Sequence, residues 1–470
     1  MMFDTLPYWL FFAAALVLLA TLRDRPAKVA LVALSYAFYA FWDARFCLLL
    51  AGSTVVNYAF GRLIDAREGS ARKRMVALAV IFNLSVLGFF KYANFFIDSF
   101  AGLFGLDPGG IALNIILPVG ISFFTFEGIA YAIDVYRRQL RAVRDPVDFS
   151  LFIAFFPHLI AGPIIRPKDF FPQLAQRAPL TSEDSRWGMR EILKGLIKKV
   201  AFANYFAPIA TAYFSGTQYE GATVPAWVGV LAFSMQIYFD FSGYTDIARG
   251  CARLLGYRFP PNFERPYLSS NITDFWRRWH ISLSFWLRDY LYISLGGNRV
   301  GVPRMYLNIL IVMGLGGLWH GASWNFALWG LYHGLLLIGH RIWRTLLERT
   351  GIASPVDSPL LTPLWIGFTF VIVSLGWVPF RAPSLAATWT TLDALVTRPD
   401  FDFVAAHYGM WLIPLATLAF CLADRDRRLQ GWLVERARFP VAVAMGVAAI
   451  FFLEIFARID AQIPFVYFQF

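Results

Sequence analysis

The sequence predicts an all-α integral membrane protein with about 11–12 transmembrane helices, joined by re-entrant or interfacial helices. Three observations carry that reading. Of the 470 residues, 58% are hydrophobic and only 16% are charged, against roughly 25% charged in an ordinary soluble domain. Apolar runs close to the ~20 residues that cross a bilayer recur along the chain. Basic residues gather in short segments between these runs and are not spread over a surface.

Taken in order, the predicted spans lie at roughly 6–22, 28–43, 45–61, 75–97, 113–135, 200–215, 226–247, 305–319, 323–340, 361–380, 408–423 and 440–457. The opening MMFDTLPYWLFFAAALVLLATLRDRPAK has no basic leader and no small-residue cleavage site, so it reads as a retained first span. Arg23, Arg25 and Lys28 follow that span, and Arg62, Arg67, Arg72, Lys73 and Arg74 follow the third. Arg137, Arg138, Arg141 and Arg144 follow the fifth, and Arg425, Arg427, Arg428, Arg436 and Arg438 precede the last. Placing these loops in the cytoplasm makes both termini periplasmic in a bacterial inner membrane. The formal net charge of +11 is then a matter of topology and anionic lipid headgroups, not of nucleic acid.

The middle of the chain departs from this pattern. Residues 149–174, FSLFIAFFPHLIAGPIIRPKDFFPQL, are apolar but carry Pro157, Gly162, Pro163, Pro167 and Pro172. Proline removes a backbone donor and blocks the preceding turn. Irregular backbone at membrane depth survives only when buried in protein or lining a wet cavity. The segment is expected to be re-entrant or a cavity wall, with His158 in it. There is no internal repeat and no soluble domain. The expected organisation is one polytopic domain over 1–470, with N-terminal spans in 1–135, a core in 149–345 and C-terminal spans in 361–470. The stretch 381–407 is the longest outward segment of the second half. The three cysteines, Cys47, Cys251 and Cys421, show no disulfide or zinc spacing and read as small buried hydrophobes.

Two segments carry candidate chemistry. In NITDFWRRWHISLSFWLRDYLYISL (271–295), Asn271 or Thr273 can cap a helix. Helical spacing puts Phe275, Trp279, Leu283, Trp286 and Tyr290 on one apolar stripe, and Arg277, Ile281, Ser284 and Arg288 on another face. His280 neighbours Arg277 and Ser284 on such a helix. It is too polar to span, and its basic face either meets phosphates of a bound cofactor or anchors in lipid headgroups. In GLGGLWHGASWNFALWGLYHG (314–334), Gly316, Gly317 and Gly321 flank His320, which predicts unusual backbone angles and close approach of a ligand. Ser323 is a plausible N-cap for a helix from Trp324. His320 would then sit at a break near a helix N-terminus, whose dipole favours neutral imidazole, the form a general base requires. An intramembrane histidine is a functional candidate by default, and a hydrogen bond between helices is its alternative.

The other histidines carry less. His333 and His340 share a helix face, with His333 a packing donor, and His407 is a solvated loop residue. A metal site from His158, His280, His320 and His333 lacks any i,i+4 or carboxylate spacing, so no metal is expected. Glu127, Asp134, Asp240 and Asp246 lie in apolar spans and are expected to pair with Arg or Lys.

These segments resemble the membrane-bound O-acyltransferase (MBOAT) family in its alginate O-acetyltransferase branch. The resemblance runs through FFPHLIAGPIIRP, FDFSGYTDIARG with LLGYRFPPNFERPY, ITDFWRRWHISLSFWLRDYLYISLGGNR, GLWHGASWNFALWGLYHG and the terminal PFVYFQF. Ser294 stands where the family usually has proline, and Glu264 where asparagine is commoner. The resemblance implies that His320 is the catalytic histidine and that His280 is the second characteristic position. It implies helices around a thinned central funnel, with Arg277, Ser284, Arg288, Asn298, Trp319, Asn325 and His158 as donor, oxyanion-hole or funnel-lining candidates. His320 would deprotonate a hydroxyl or briefly carry the acyl group. Acetyl-CoA is the implied cytosolic donor, with no bound cofactor, and a periplasmic acetyltransferase partner would complete transfer to an exopolysaccharide. The alternatives are D-alanyl, lipid or peptidoglycan acylation by the same histidine, a polysaccharide-precursor transporter, or a passive scaffold.

Overall fold

The computed structural model describes residues 3–106, 113–160, 162–177, 179–351, 354, 356 and 358–398. The predicted spans at 408–423 and 440–457, the basic segment 425–438, His407, Cys421 and the terminal PFVYFQF lie outside the described residues. The other ten predicted spans fall on helices, except that 113–135 is irregular over 113–120 and becomes helical only at Ile121. These are α1 (Leu6–Thr21), α2 (Asp24–Asp43), α3 (Phe46–Asp65), α4 (Gly69–Phe104, with a π turn at Gly88–Tyr92) and α5 (Ile121–Tyr136). The proline-rich segment forms α6 (Pro146–Ala154), a single turn at Phe156–Leu159 and α7 (Pro167–Ala175). Then follow α8 (Ser182–Leu196), a π segment (Ile197–Ala203), α9 (Asn204–Ser215) and α10 (Ala226–Leu254). Two short helices, α11 (Ile272–Arg278) and α12 (Ile281–Trp286), precede α13 (Val302–His320), α14 (Trp324–Thr350), α15 (Thr362–Arg381) and α16 (Leu385–Thr397). Among the described residues α3, α4, α13 and α15 are long and apolar enough to cross a membrane, and α1 is a shorter apolar helix. Helix α4 leaves Leu78, Ile81, Phe96 and Phe100 exposed. That outward apolar face belongs in lipid, not in water.

The described chain forms two compact units. Among the described residues, one lies within 1–188, 248–260 and 288–291, and the other within 189–247, 261–287 and 292–398. In the first unit α5 is buried along nearly its whole length. Glycines let its neighbours approach: a Cβ at Gly128 would meet the Asn57 amide, and one at Gly61 would meet the Tyr131 ring. Asn57 and Asn83 exchange amide hydrogen bonds of 3.1 and 2.7 Å between α3 and α4. Such amide pairs hold helices together where lipid supplies no hydrophobic drive. The proline-rich segment is irregular as expected, and residues 151–159 are all buried.

The second unit is built on two glycine crossings. In the hairpin of α13 and α14, a Cβ at Gly330 would meet the Met313 carbonyl oxygen, and one at Gly317 would meet that of Phe326. At the other crossing, a Cβ at Gly195 would meet the Gly243 carbonyl oxygen at 2.5 Å. The backbones there are close enough for lysines of the π segment to reach carboxylates of α10. Lys199 Nζ lies 2.9 Å from Asp240 Oδ1 with both side chains 1% exposed, and Lys198 Nζ lies 2.7 Å from Asp246 Oδ2.

The expectation of Arg or Lys partners for the apolar-segment carboxylates therefore holds for Asp240 and Asp246. It fails for the two in the first unit, where Glu127 Oε1 meets His158 Nδ1 at 3.1 Å and Asp134 Oδ2 accepts from Tyr290 Oη at 3.0 Å. The basic residues that follow α5 in sequence point elsewhere: Arg137 donates to the Asp289 carbonyl, and Arg138 pairs with Glu68.

Removing one partner of a buried ion pair strands the other charge, typically at a cost of about 3–5 kcal/mol. Lys199→Met should therefore lower the melting transition of the detergent-solubilised protein markedly, and the double variant with Asp240→Leu should recover most of it. A single variant that melts with the wild type would contradict a structural role for the pair.

Candidate active site

The second unit brings His280 and His320 together. Their ring centroids are 6.3 Å apart with planes at 71°. The sequence expectation of one continuous helix through 271–295 is corrected here: the helix ends at Arg278 and restarts at Ile281. His280 sits between the two pieces with a left-handed backbone, φ +42°. A non-glycine residue held there costs on the order of 1–3 kcal/mol and persists only when its surroundings impose it. Asn262 imposes it. Its carbonyl accepts from Ile281 N at 3.0 Å, and its Oδ1 accepts from Ser282 N at 3.1 Å and Ser282 Oγ at 2.9 Å. Asn271 is the cap of α11, its Oδ1 accepting from Asp274 N at 2.8 Å.

The turn also orients the His280 ring. Nδ1 accepts from Leu283 N at 3.3 Å, so in the neutral ring the proton is on Nε2. Burial drives the pKa of this imidazole, which lies outside the spanning helices, down to about 3. The ring is 1% exposed, and Nε2 has no hydrogen-bond partner among the described residues. It is a buried N–H donor held beside the second histidine.

His320 closes α13. Rings of Trp319 (5.0 Å), Trp329 (5.1 Å) and Phe380 (5.2 Å) surround it, while Phe241 packs on His280 at 4.7 Å. Two expectations about this segment are corrected. His320 is the last residue of its own helix, so the nearest dipole end is a C-terminus and the argument from a helix N-terminus does not apply. Ser323 does occupy the N-cap position of α14, yet its side chain makes no capping bond. The flanking glycines do not supply unusual angles either. Gly316 and Gly317 are ordinary helical residues, and Gly321 is extended at φ −161°. Gly317 admits α14, a Cβ at Gly316 would press on Leu287 at 3.1 Å, and one at Gly321 would enter the Phe326 ring.

The remaining candidates separate. Trp319 packs at 5.9 Å from His280 and so touches both histidines. Asn325 is committed to α15, donating to the Ala382 carbonyl at 2.7 Å. Ser284 Oγ donates to the carbonyls of Trp276 and Trp279 at 3.3 and 3.4 Å, bracing the broken turn. Asn298 Oδ1 accepts from Tyr292 Oη at 2.7 Å. Arg277 is exposed on α11. Arg288 belongs to the first unit and pairs with Asp289 at 2.7 Å. His158 is also in the first unit, paired with Glu127. His333 is fully buried between Trp276 and Trp329, and among the described residues neither ring nitrogen has the hydrogen-bond partner expected of a packing donor. Sequence reasoning missed Asn262 and the cage residues Phe241, Trp329 and Phe380. Asn262 was in view within PPNFERPY, but no local pattern marks a clamp on a turn eighteen residues away.

Comparison with known proteins identifies the family. The family model for MBOAT, membrane-bound O-acyltransferase family, matches residues 137–371, which include both histidines. The chain belongs to this family. It is 46% identical over 383 residues to "Probable alginate O-acetylase AlgI" of Azotobacter vinelandii, covering 80% of this chain and 74% of that protein. It is 35% identical to "Peptidoglycan O-acetyltransferase" of Helicobacter pylori, over 94% of this chain and 91% of that one. Against "Teichoic acid D-alanyltransferase" of Bacillus subtilis the identity is 31%, over 48% of this chain and 59% of that protein. This MBOAT protein is thus a membrane-embedded O-acyltransferase.

Asn262→Ala removes the acceptor for two buried donors, a loss of about 1–3 kcal/mol, and frees the turn that aims His280. Transferase activity should fall at least tenfold while membrane insertion and expression hold. Activity within twofold of wild type would mean that the turn is fixed by other contacts.

Proposed function

We propose that this protein moves an acetyl or other short acyl group from a cytosolic thioester, such as acetyl-CoA, across the bacterial inner membrane for O-acetylation of an extracytoplasmic polysaccharide. The observation that carries the reading is the buried pair itself: a donor at His280 Nε2 beside His320, in an aromatic cage, within a chain of the O-acyltransferase family. In this reading His320 takes the proton of an acceptor hydroxyl as the oxygen attacks the thioester carbonyl. His280 Nε2–H donates to the carbonyl oxygen as negative charge develops on it, a contribution worth about 3–4 kcal/mol in other acyl transfers. The tetrahedral intermediate collapses, the C–S bond breaks and the proton held by His320 passes to the thiolate. The aromatic walls keep water from competing for the acyl group.

The acceptor hydroxyl comes from the outer side. It belongs to the polymer or to a periplasmic acetyltransferase that completes the transfer. The distribution of basic loops supports periplasmic termini and a donor on the opposite face. An alginate-like polymer is supported by the Azotobacter relative. A peptidoglycan acceptor is the second reading, favoured by the Helicobacter relative, which matches nearly the full length of both chains.

His320→Ala removes the base, and polymer O-acetylation should drop by at least 100-fold with the protein still in the membrane. His280→Ala should lower the rate by about 100-fold through loss of the carbonyl donor. The check is mass analysis of surface polysaccharide and peptidoglycan from cells expressing each variant. Wild-type acetylation with His320→Ala would end this account, and the component that loses acetyl identifies the acceptor.

A further inference from the structure

Four helix ends meet at one end of the second unit: those of α9, α13 and α15 and the start of α14. Phe214, in the last turn of α9, lies 6.0 Å from Phe233 of α10 by ring centroids. Phe233 touches Phe380 of α15 at 6.4 Å. Phe380 in turn touches His320, which closes α13, at 5.2 Å and Phe326 of α14 at 4.9 Å. Asn325 ties α14 to α15 through the Ala382 carbonyl. In the topology supported by the basic loops, α15 runs into the outward stretch 381–407, so this end of the unit faces the acceptor side.

Arg381 is the last residue of α15. A basic residue at a helix C-terminus complements the dipole when it lies near the last carbonyls. Helical side chains lean toward the N-terminus, and this one packs back against neighbouring helices. Its Cζ lies 5.7 Å from the Phe214 ring centroid and 6.0 Å from that of Phe233. Aromatic faces attract a guanidinium, but they are not the oxygen acceptors that its five N–H groups require. Among the described residues no carboxylate pairs with Arg381, and its buried Nε has no hydrogen-bond partner. One ring, Phe380, separates this cation's aromatic bed from His320.

A second unengaged group lies one residue away in the contact network. Asn325 is 4% exposed, and while Nδ2 donates to the Ala382 carbonyl at 2.7 Å, Oδ1 has no partner among the described residues. A buried oxygen that can only accept calls for a hydroxyl or N–H. A guanidinium beside it calls for an oxyanion, which its planar fork holds best as a carboxylate through two parallel bonds. Hydroxyl and carboxylate together describe an acidic sugar.

We propose that Arg381 and Asn325 form a recognition site for a carboxylated saccharide acceptor, with its carboxylate on the guanidinium and a hydroxyl on Asn325 Oδ1. The proposal deepens the acyl-transfer reading above and rests on it for the step at His320. The single negative charge recognised is also carried by the phosphodiester of an anionic lipid headgroup.

The test measures binding to purified full-length protein in phosphatidylcholine vesicles by equilibrium dialysis. The probes are an oligouronate and the same oligosaccharide with its carboxyls reduced to alcohols. The wild type should bind the oligouronate at least about tenfold more tightly than the neutral form. Arg381→Gln should abolish that preference, and Arg381→Lys should keep part of it, with the melting transition as the control for folding. Failure of the wild type to bind the oligouronate, equal binding of the two probes, or an unchanged preference in Arg381→Gln overturns the proposal. If Arg381→Gln instead co-purifies with less phosphatidylglycerol and its oligouronate binding is that of the wild type, the guanidinium holds a lipid headgroup and the proposal falls. An Arg381-dependent preference in a protein that transfers no acetyl from acetyl-CoA supports the recognition site and removes the donor reading alone.

Discussion

The break between Arg278 and Ile281 is the constraint on which the site depends. A continuous helix through this stretch would spread its side chains by helical period and give His280 the company of Arg277 and Ser284. The left-handed residue ends that register. It buries the imidazole, points Nδ1 at the next turn's backbone and leaves Nε2 as the donor. Asn262 makes this geometry stable by taking up three donors of the restarted helix. Strain of this kind lasts only where the surroundings over-determine it, and here the determinant lies in a preceding loop.

The second histidine is placed by different means. His320 ends a helix whose partner follows after a three-residue link, and the two helices approach through Gly317 and Gly330. Larger residues at these positions would push α14 away and take Trp329 with it. Since Trp329 touches His320, His333 and Phe380, the glycine crossing sets the width of the cage. Packing in a lipid-facing protein rests on such close approach, because apolar area alone gives no preference for protein over lipid. The same device recurs at Gly195 and Gly243, where it brings lysines to carboxylates.

What was legible in the sequence follows from the range of the interactions. Nearly every predicted span within the described residues coincides with a helix, because length and hydropathy are local properties; the exception is 113–135, whose apolar first eight residues are irregular. His280 and His320 stood out because polar rings within apolar, glycine-bounded segments are rare. The failures were all non-local. Helical periodicity could not reveal a single left-handed residue imposed by Asn262. The glycines beside His320 suggested backbone freedom, when their use is to admit Phe326 and α14. The dipole argument assigned His320 to the wrong helix end, since sequence spacing did not say whether the histidine closes one helix or opens the next. Phe380, sixty residues on, became a wall of the cage through tertiary packing alone.

The buried polar groups divide in a way that bears on mechanism. Lys199 with Asp240, Lys198 with Asp246 and Asn57 with Asn83 pair across helices, whereas Glu127 and His158 meet at 3.1 Å and leave Glu127 Oε2 and His158 Nε2 without a hydrogen bond among the described residues. The first three pairs hold helices together. His280 keeps one ring nitrogen occupied by backbone and the other unengaged. An unengaged buried donor costs about 1–3 kcal/mol in the resting protein. That cost is recovered when an oxygen with developing negative charge arrives, more fully in the transition state than in the bound ester. Acceleration comes from interactions that strengthen along the reaction coordinate, and in the proposed reaction the unengaged donor at His280 would make one.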